Sequence, residues 1–245
     1  MRAIILAAGR GRRINRLSKS KPKCFIKVNN KSLINYQIEA LKKAGITKIA
    51  IVTGYKKNFF QNLKTKKFNN KEWRSTNMIY SLCKAQSWLS KYKCIICYSD
   101  IFFETSAIKL LKKNNNEFCV LSYLDWKNLW KKRFKNIKID IESFKINKSN
   151  YITNIGQKVK NINDIQGQFM GVFKLSPSKW KIIIKYIKEL DKNEKSKMST
   201  TCLINNIINM YKLKIKAVFY KDLFFEIDNY KDYKILLDIL KKKHI

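Results

Sequence analysis

The segment Leu6-Ala-Ala-Gly-Arg-Gly-Arg-Arg13 carries the densest group of residues that could do chemistry. Two of the seven glycines, Gly9 and Gly11, lie here and would let the backbone approach a ligand closely. The arginines around them offer paired N–H donors that match phosphate oxygens. The segment lacks the third glycine of a dinucleotide fingerprint and does not fit the Gly-x4-Gly-Lys-Ser/Thr loop. We therefore predict a phosphate-binding loop of another kind, with a generic basic turn as the alternative.

Carboxylates are scarce, so the candidates for metal ligands are few. Only Glu39 and Glu72 precede Asp100, which follows an apolar run that we predict to be a strand. A carboxylate at the carboxyl end of a strand is suitably placed to hold Mg²⁺ beside a bound phosphate. A helix cap or a surface acid is the alternative for Asp100. Histidine chemistry is excluded, because the one histidine, His244, cannot supply a catalytic pair or a multi-histidine metal site.

Charge and composition limit the class of protein. The 245 residues include 53 Lys and Arg against 17 Asp and Glu, a net charge of +36, yet 45% are hydrophobic, which excludes intrinsic disorder. Lysine is spread over every segment, which indicates a compositional bias of the genome; a polyanion-binding surface is the alternative. Nucleic acid is therefore not an expected partner. No apolar run has the length of a signal segment or a membrane span, so we expect a cytoplasmic protein without a membrane partner.

The six cysteines indicate a reducing compartment. Cys94 and Cys97 have the spacing of a metal or redox pair, but side chains three apart in a strand point to opposite faces. Because no second pair completes a zinc site, we interpret all six as free thiols buried in apolar surroundings.

The elements that must position these residues alternate between strands and helices. The apolar run Ala3–Ala8 predicts a buried parallel strand, and a helix from Ser32 to about Ala44 and a strand over 48–53 complete a βαβ unit. Two short alternating runs over 144–155 predict a hairpin. Further elements are expected as helices over 78–89, 106–113, 177–190, 200–211 and 230–240 and as strands over 94–99, 118–123, 168–175 and 215–220. We predict an α/β fold: a Rossmann-like mixed sheet flanked by helices, with a small β-hairpin insertion, in one domain over residues 1–245.

The segment from Leu6 to Lys23 resembles the signature of nucleotidyltransferases that activate small phosphorylated compounds with a nucleoside triphosphate. The family pattern is Leu-Ala-Ala-Gly-x-Gly-x-Arg followed by Pro-Lys, and Arg16 departs from it where the family usually has Pro. Its matches here are Gly9, Gly11, Arg13, Pro22 and Lys23. Later segments resemble the cytidylyltransferases of small phosphonates and phospho-alcohols, those of 2-aminoethylphosphonate first and bacterial phosphocholine enzymes next. These segments are 75–82, 98–100, 125–133, 167–171 and 226–228.

The resemblance implies the nucleotide-diphospho-sugar transferase type of fold and a Mg²⁺-dependent transfer of CMP from CTP to a small phosphonate or phosphorylated amino-alcohol. The most expected acceptor is 2-aminoethylphosphonate, and pyrophosphate is released. An ionised phosphonate or phosphate oxygen needs no general base, so a site without histidine suits this reaction. A phosphocholine or other small-phosphate acceptor, a sugar 1-phosphate acceptor and a lysine-rich polyanion-binding protein are the alternatives. A homodimer is left open.

The resemblance also implies site residues. Residues 1–120 would bind the nucleotide and residues 121–245 the acceptor. Asp228 would join Asp100 in holding the metal. Catalytic contacts with the phosphates are implied for Arg13, Lys23 and Lys158. Nucleotide contacts are implied for Leu6, Ala8, Gly9, Gly11, Thr76, Asn77 and Ser81, although helix capping alone could explain Thr76 and Asn77.

We assign acceptor recognition to a group around two tryptophans. Trp126 and Trp130 are four residues apart and would share a helix face, with Asp125 and Arg133 close by. Aromatic faces and a carboxylate suit an ammonium group, whereas a guanidinium suits a phosphonate. The alternative is that the two indoles pack a lid. Glu226, two residues before the second metal-binding acid, is either a helper of the metal site or an acceptor ligand.

Overall fold

Strands and helices alternate along residues 1–11, 20–159 and 161–243, which are the residues that the computed structural model describes. In chain order the strands are β1 (Arg2–Ala7), β2 (Lys27–Val28), β3 (Lys31–Ser32), β4 (Ile49–Thr53), β5 (Lys66–Asn69), β6 (Cys94–Tyr98), β7 (Ile101–Phe103), β8 (Phe118–Tyr123), β9 (Phe144–Ile146), β10 (Ile152–Ile155), β11 (Gln168–Leu175), β12 (Lys216–Tyr220) and β13 (Phe224–Glu226). The α-helices are α1 (Leu33–Lys43), α2 (Met78–Cys83), α3 (Gln86–Leu89), α4 (Thr105–Lys113), α5 (Trp126–Arg133), α6 (Pro177–Glu189), α7 (Lys192–Lys197), α8 (Thr200–Tyr211) and α9 (Tyr230–Lys242).

Seven strands form the central sheet, in the order β12-β8-β11-β6-β1-β4-β5. β11 runs antiparallel to its neighbours β6 and β8, and the other neighbouring pairs are parallel. The carboxyl ends of β1, β4 and β6 therefore meet at one edge, where ligands bind in sheets of this kind. The expected α/β fold with a mixed sheet is confirmed.

The centre of the sheet is apolar on both faces. In β1, Ala3, Ile4 and Ile5 are fully buried, and this strand lies between the parallel strands β4 and β6. Helices cover both faces of such a sheet, which is why its strands are continuous apolar runs rather than alternating ones. Cys94 and Cys97 are also fully buried, and all six cysteines, each within the described residues, are free thiols as expected.

Most predicted helices form with small changes of their ends, but the one expected over 78–89 is divided into α2 and α3. The amides of Lys84 and Ala85 donate to the carbonyl oxygens of Ser81 and Leu82, three residues earlier. This tighter turn ends the α-helical pattern. β5, which the analysis of the sequence missed, is a polar edge strand with lysines and therefore lacks the apolar run that marks the inner strands.

Three short antiparallel pairs lie outside the main sheet in the described part of the chain, and the first is β2 with β3. β7 pairs with β13, and the amide of Ile227 donates to the carbonyl oxygen of Asp100 at 3.0 Å. β9 and β10 form the expected hairpin, with Asn150 in the left-handed region (φ 57°) at its turn. The hairpin packs against α8. Within the described ranges, every helix is too short or too polar to cross a bilayer.

Candidate active site

Three carboxylates meet at the carboxyl edge of the sheet. Asp100 follows β6, whereas Glu226 and Asp228 lie at the end of β13. The pairing of β13 with β7 brings the two chain segments side by side, because Glu226 lies opposite Ile101. One oxygen of each of the three carboxylates lies within 4.8 Å of the others. The two expected metal ligands, Asp100 and Asp228, are thus neighbours, and Glu226 is the third acid of the group.

This donor set fits a divalent cation. Mg²⁺ takes carboxylate oxygens at about 2.0–2.1 Å, so oxygens on opposite sides of the ion lie about 4.2 Å apart. The three oxygens, which lie within 4.8 Å of one another, are close to that spacing. Asp100, Glu226 and Asp228 are therefore the residues that would hold Mg²⁺.

Lys23 lies between the two expected metal ligands. It opens the 3-10 turn Lys23–Phe25 directly after Pro22. Its Nζ donates to Asp100 Oδ2 at 2.9 Å and to Asp228 Oδ1 at 3.0 Å. Burial alone would lower the pKa of Lys23, but the charges of these carboxylates and of Glu226 outweigh it and raise that pKa. Lys23 is therefore a firmly protonated ammonium at the centre of the cluster.

Gly11 makes room for the stem of Lys23. Its φ is +66°, and a Cβ added there would lie 2.9 Å from both Cβ and Cδ of Lys23. A side chain at this position would both strain the backbone and displace the lysine. At Gly9, by contrast, an added Cβ meets nothing within 4 Å. The requirement for glycine in the predicted phosphate loop therefore lies at Gly11.

Arg133 approaches the same cluster from the opposite side. Its side chain is fully buried, and Nη2 lies 3.1 Å from Asp228 Oδ2. Nε donates to Asp232 Oδ1 at 3.1 Å, and Nη1 lies 3.6 Å from Glu226 Oε2. Four carboxylates, Asp232 included, against the two cations Lys23 and Arg133 leave this group a formal charge of −2, which one divalent cation would balance.

Burial and neighbouring charges both act on the carboxyl group of Glu226. Burial raises its pKa, and the neighbouring negative charges of Asp228 and Asp100 raise it further, whereas Arg133 and Lys23 act in the opposite direction. Its side chain nevertheless keeps 27% exposure. Glu226 therefore keeps part of its side chain accessible at the cluster, whereas Asp228, with only 6% of its side chain exposed, is almost buried.

The structure corrects the surroundings assigned to the tryptophans. Trp126 and Trp130 are 2% and 4% exposed and pack edge to face, with ring centroids 6.4 Å apart. Trp130 Nε1 donates to the carbonyl oxygen of Asp140. Since neither indole presents a face to solvent, packing accounts for both, which was the alternative. Asp125, by contrast, is exposed at the start of α5 and accepts a hydrogen bond from Asn128.

The same correction applies to Arg133. Its guanidinium was expected to bind an acceptor phosphonate, but its side chain has no exposed surface. Its donors point to Asp228, Asp232 and Glu226 instead. Helical spacing showed correctly that Arg133 lies near the tryptophans, but it could not show that this helix face points inward.

The expected nucleotide-binding residues at the end of β1 lie at the same edge of the sheet. Leu6 and Ala8 are 7% and 4% exposed, so only their backbone groups could contact a nucleotide. The carbonyl oxygen of Ala8 accepts the amide of Tyr55 at 2.9 Å, which joins the loop after β1 to the loop after β4. Gly9 is exposed beside them.

A buried asparagine connects two of the other expected nucleotide ligands. Asn70, at the end of β5, is fully buried, and its Nδ2 donates to Thr76 Oγ1 at 2.9 Å and to Ser81 Oγ at 3.0 Å. Asn77 caps α2 through the amide of Met78, at 2.9 Å. Thr76 lines a cavity of about 570 Å³ between the 72–80 segment and α7. Capping therefore explains Asn77, whereas Thr76 borders open space.

Lys158, an expected phosphate ligand, remains apart from the cluster. Lys158 is exposed after β10 and lines a separate cavity of about 440 Å³ with Gln157 and Asp164. Among the ion pairs of the described residues, none includes Lys158. Arg13 lies outside the described residues.

Two buried polar residues that support the cluster could not be identified from local sequence patterns alone. Gln37, on α1, is fully buried, and its Nε2 donates to the carbonyl oxygens of Tyr98 (2.8 Å) and Ile101 (2.7 Å), on both sides of Asp100. Asp232 binds Arg133 and stands three residues after the cap residue Asn229. The capping-box spacing was a signal for Asp232; Gln37 carried none beyond a polar residue on an apolar helix face.

Comparison with known proteins shows the family of the chain. The model of the MobA-like NTP transferase domain matches residues 3–129. The chain is 35% identical over 203 residues to the CTP:phosphoglutamine cytidylyltransferase of Campylobacter jejuni, across 79% of this chain and 80% of that one. It is 36% identical over 104 residues to the 2-aminoethylphosphonate cytidylyltransferase of Lancefieldella rimae, across 40% and 42% of the two chains.

Among solved structures, the CTP:phosphocholine cytidylyltransferase of Streptococcus pneumoniae shares the fold. Its TM-score is 0.73 at 23% identity, over 98% of each chain. The residues that match the family model, 3–129, include Gly9, Gly11, Lys23 and Asp100. The chain belongs to the MobA-like NTP transferase family and is a nucleotidyltransferase.

Proposed function

We propose that the protein is a Mg²⁺-dependent cytidylyltransferase that transfers CMP from CTP to a small phosphorylated or phosphonate acceptor and releases pyrophosphate. The observation that carries the proposal is the group of Asp100, Glu226 and Asp228 around Lys23 at the carboxyl edge of the sheet. Its net negative charge suits a divalent cation, and its position suits a nucleotide bound at the loop after β1.

In the proposed reaction an ionised oxygen of the acceptor attacks the α-phosphorus of CTP. A new O–P bond forms, the bond from the α-phosphorus to the bridging oxygen breaks, and its electron pair leaves with pyrophosphate. No proton has to be removed from the acceptor, because a phosphate or phosphonate oxygen is already ionised near neutral pH. A site built without histidine can therefore run this reaction by positioning and charge neutralisation.

The chain's own residues have distinct parts in this scheme. Lys23 supplies a permanent positive charge for the phosphates of CTP, and Gly11 keeps its stem against the loop. Arg13 is proposed to act beside Lys23. Asp100 and Asp228, with Glu226, would hold Mg²⁺, which when bound neutralises charge on the triphosphate.

The proposed acceptor is a small anionic phosphorus compound that carries an amino group. 2-Aminoethylphosphonate is the acceptor expected from the sequence, and phosphoglutamine is the one named for the Campylobacter jejuni relative, which matches over 79% of this chain. Both combine an anionic phosphorus group with an amino-bearing body. We propose an acceptor of this chemical class, with Glu226, whose side chain is more exposed than that of Asp228, as a candidate partner for its positive charge.

The test is release of pyrophosphate from CTP and Mg²⁺ with 2-aminoethylphosphonate, phosphoglutamine, phosphocholine or glucose 1-phosphate. We expect release with at least one of the first three, loss of release with a chelator, and recovery on adding Mg²⁺. Asp238→Asn, at an exposed position of α9, is the matched control for substitutions of acids in the cluster. Preference for UTP with glucose 1-phosphate, or no release with any pair, would contradict the proposal.

A further inference from the structure

The two oxygens of Asp228 face different cations. Oδ1 accepts a hydrogen bond from Lys23 Nζ at 3.0 Å, and the same Nζ also contacts Asp100. Oδ2 accepts from Arg133 Nη2 at 3.1 Å, inside the protein. A carboxylate held at one oxygen by a buried guanidinium has its rotation restricted, so its other oxygen keeps a constant direction.

Arg133 is itself held by Asp232. Nε and Nη2 of the guanidinium donate to Asp232 Oδ1 and Oδ2 at 3.1 and 3.3 Å, a paired contact between two side chains without exposed surface. The ring of Phe134 lies 4.8 Å from the guanidinium carbon. Nη1 has no hydrogen-bond partner among the described residues and lies 3.6 Å from Glu226 Oε2. The fork of Arg133 therefore has one defined orientation.

Asp232 also holds the backbone at Asp228. Its Oδ2 accepts the amides of Asp228 at 2.9 Å and of Asn229 at 3.2 Å, while its own amide donates to Asn229 Oδ1 at 3.0 Å. Asp228 is thus fixed twice, at its amide by Asp232 and at its carboxylate by Arg133. Lys231 adds a third tie between the two elements, because its Nζ donates to the carbonyl oxygen of Arg133 at 2.8 Å.

A role in stability alone does not account for this arrangement. Burying a guanidinium and carboxylates costs desolvation free energy, and a well-packed apolar pair of similar volume often stabilises a fold as well or better. What an apolar pair cannot do is direct one oxygen of Asp228 toward Asp100.

We propose that Arg133 and Asp232 are positioning residues, which set the direction of Asp228 Oδ1 and thereby the affinity of the acidic cluster for a divalent cation. The inference rests on the proposed function, because Asp228 is assigned to the metal there. Partners that orient metal ligands typically change metal affinity by about 10- to 100-fold when they are replaced.

The experiment measures binding of Mn²⁺, by electron paramagnetic resonance in the presence of CTP and without an acceptor, together with the Mg²⁺ dependence of turnover. We expect Asp232→Asn and Arg133→Lys to weaken Mn²⁺ binding by about 10- to 100-fold. The Mg²⁺ concentration for half-maximal rate should rise by the same factor, while kcat at saturating Mg²⁺ stays within about threefold of the wild type. Asp238→Asn, on the same helix as Asp232, is the matched control and should change neither.

A third variant separates positioning from folding. Arg133→Met combined with Asp232→Asn removes both charges of the buried pair, while the new side-chain amide oxygen can still accept the backbone amides of Asp228 and Asn229. Because Asp228 Oδ2 also loses Arg133, we expect a folded variant with a lower Tm and a weakened affinity for Mn²⁺. Folded variants that bind Mn²⁺ as tightly as the wild type would overturn the inference, and so would failure of all three variants to fold, because the pair would then serve folding itself. If the wild type binds no Mn²⁺ and Asp100→Asn changes nothing, the proposed function fails instead.

Discussion

The two cations that flank Asp228 differ in how they are held. Lys23 reaches the cluster on a flexible four-carbon stem from a short turn, and its Nζ makes two single-point contacts, with Asp100 and Asp228. Arg133 is the last residue of α5, and its planar guanidinium group pairs with Asp232 and has no exposed surface. A lysine ammonium is a point charge that can change partners, whereas a paired guanidinium is preorganised. We therefore expect Lys23 to exchange its contacts for those with a ligand, and Arg133 to keep its contacts.

The largest effect is expected from a substitution of Asp100, which lies on the Lys23 side of the cluster. Asp100→Asn removes a carboxylate that Lys23 contacts and Arg133 does not. We expect turnover to fall by about 100- to 1000-fold, the scale of losing one electrostatic contact to a transition state. Because the side chain of Asp100 is 28% exposed, Tm should change little. Pyrophosphate release and thermal unfolding measure the two effects, and a fully active variant would remove Asp100 from the site.

Substitutions of Lys23 and of Arg133 should change the affinity for Mn²⁺ in opposite directions. In Lys23→Ala the ammonium no longer competes for Asp100 and Asp228, so Mn²⁺ should bind more tightly without nucleotide, although turnover should fall by about 100-fold. Arg133→Lys should weaken the same binding. Titration calorimetry with Mn²⁺ on both variants measures the signs. Equal weakening of Mn²⁺ binding in both variants would show that Lys23 and Arg133 have the same effect on the cluster.

A smaller effect is expected where the backbone supports Lys23. Gly11→Ala places a methyl group 2.9 Å from the lysine stem at φ +66°, so we expect about 1–2 kcal/mol of destabilisation. Gly9→Ala is the matched control for stability, because its methyl group meets nothing within 4 Å. Chemical unfolding of the two variants gives the difference. Equal stabilities would mean that the loop adapts and that Gly11 does not position Lys23.

The smallest effect is expected at an exposed acid. Hydrogen bonds from Lys31 and Lys43 lower the pKa of Glu39 to about 2. A lowered pKa means that the stabilisation is present above the ordinary Glu value and is lost as the pH falls toward 2. Since Glu39 is 39% exposed, we expect less than about 1 kcal/mol. Glu39→Gln should therefore be slightly less stable than the wild type at pH 7 and equal to it near pH 2, as urea unfolding at both pH values would show; a constant difference would contradict the ion-pair origin.

Much of the fold could be predicted from local patterns. Apolar runs and cap residues marked β1, β4, β6, β8 and β11 and most helices, because burial and capping act over a few residues. β7 and β13 are three residues long and owe their form to pairing with each other, which no local pattern shows.

The site could be predicted in part, for the same reason. Asp100 stood out as an acid at the end of an apolar strand, and Asp228 and Lys23 came from the resemblance. The orientation of Trp126, Trp130 and Arg133 could not be predicted, because helical spacing shows which residues share a face and not what that face meets. The partner of Arg133 is Asp232, 99 residues further along the chain.

That separation in sequence has a consequence for the order of events during synthesis. Lys23 contacts a residue 205 positions later, and Arg133 contacts one 99 positions later. A nascent chain on the ribosome can thus pair β1 with β4 and β6 long before Asp228 and Asp232 have been translated. The sheet is available as a scaffold early, but the cluster closes only when α9 docks, so an incomplete chain lacks the acidic group that we propose to hold the metal.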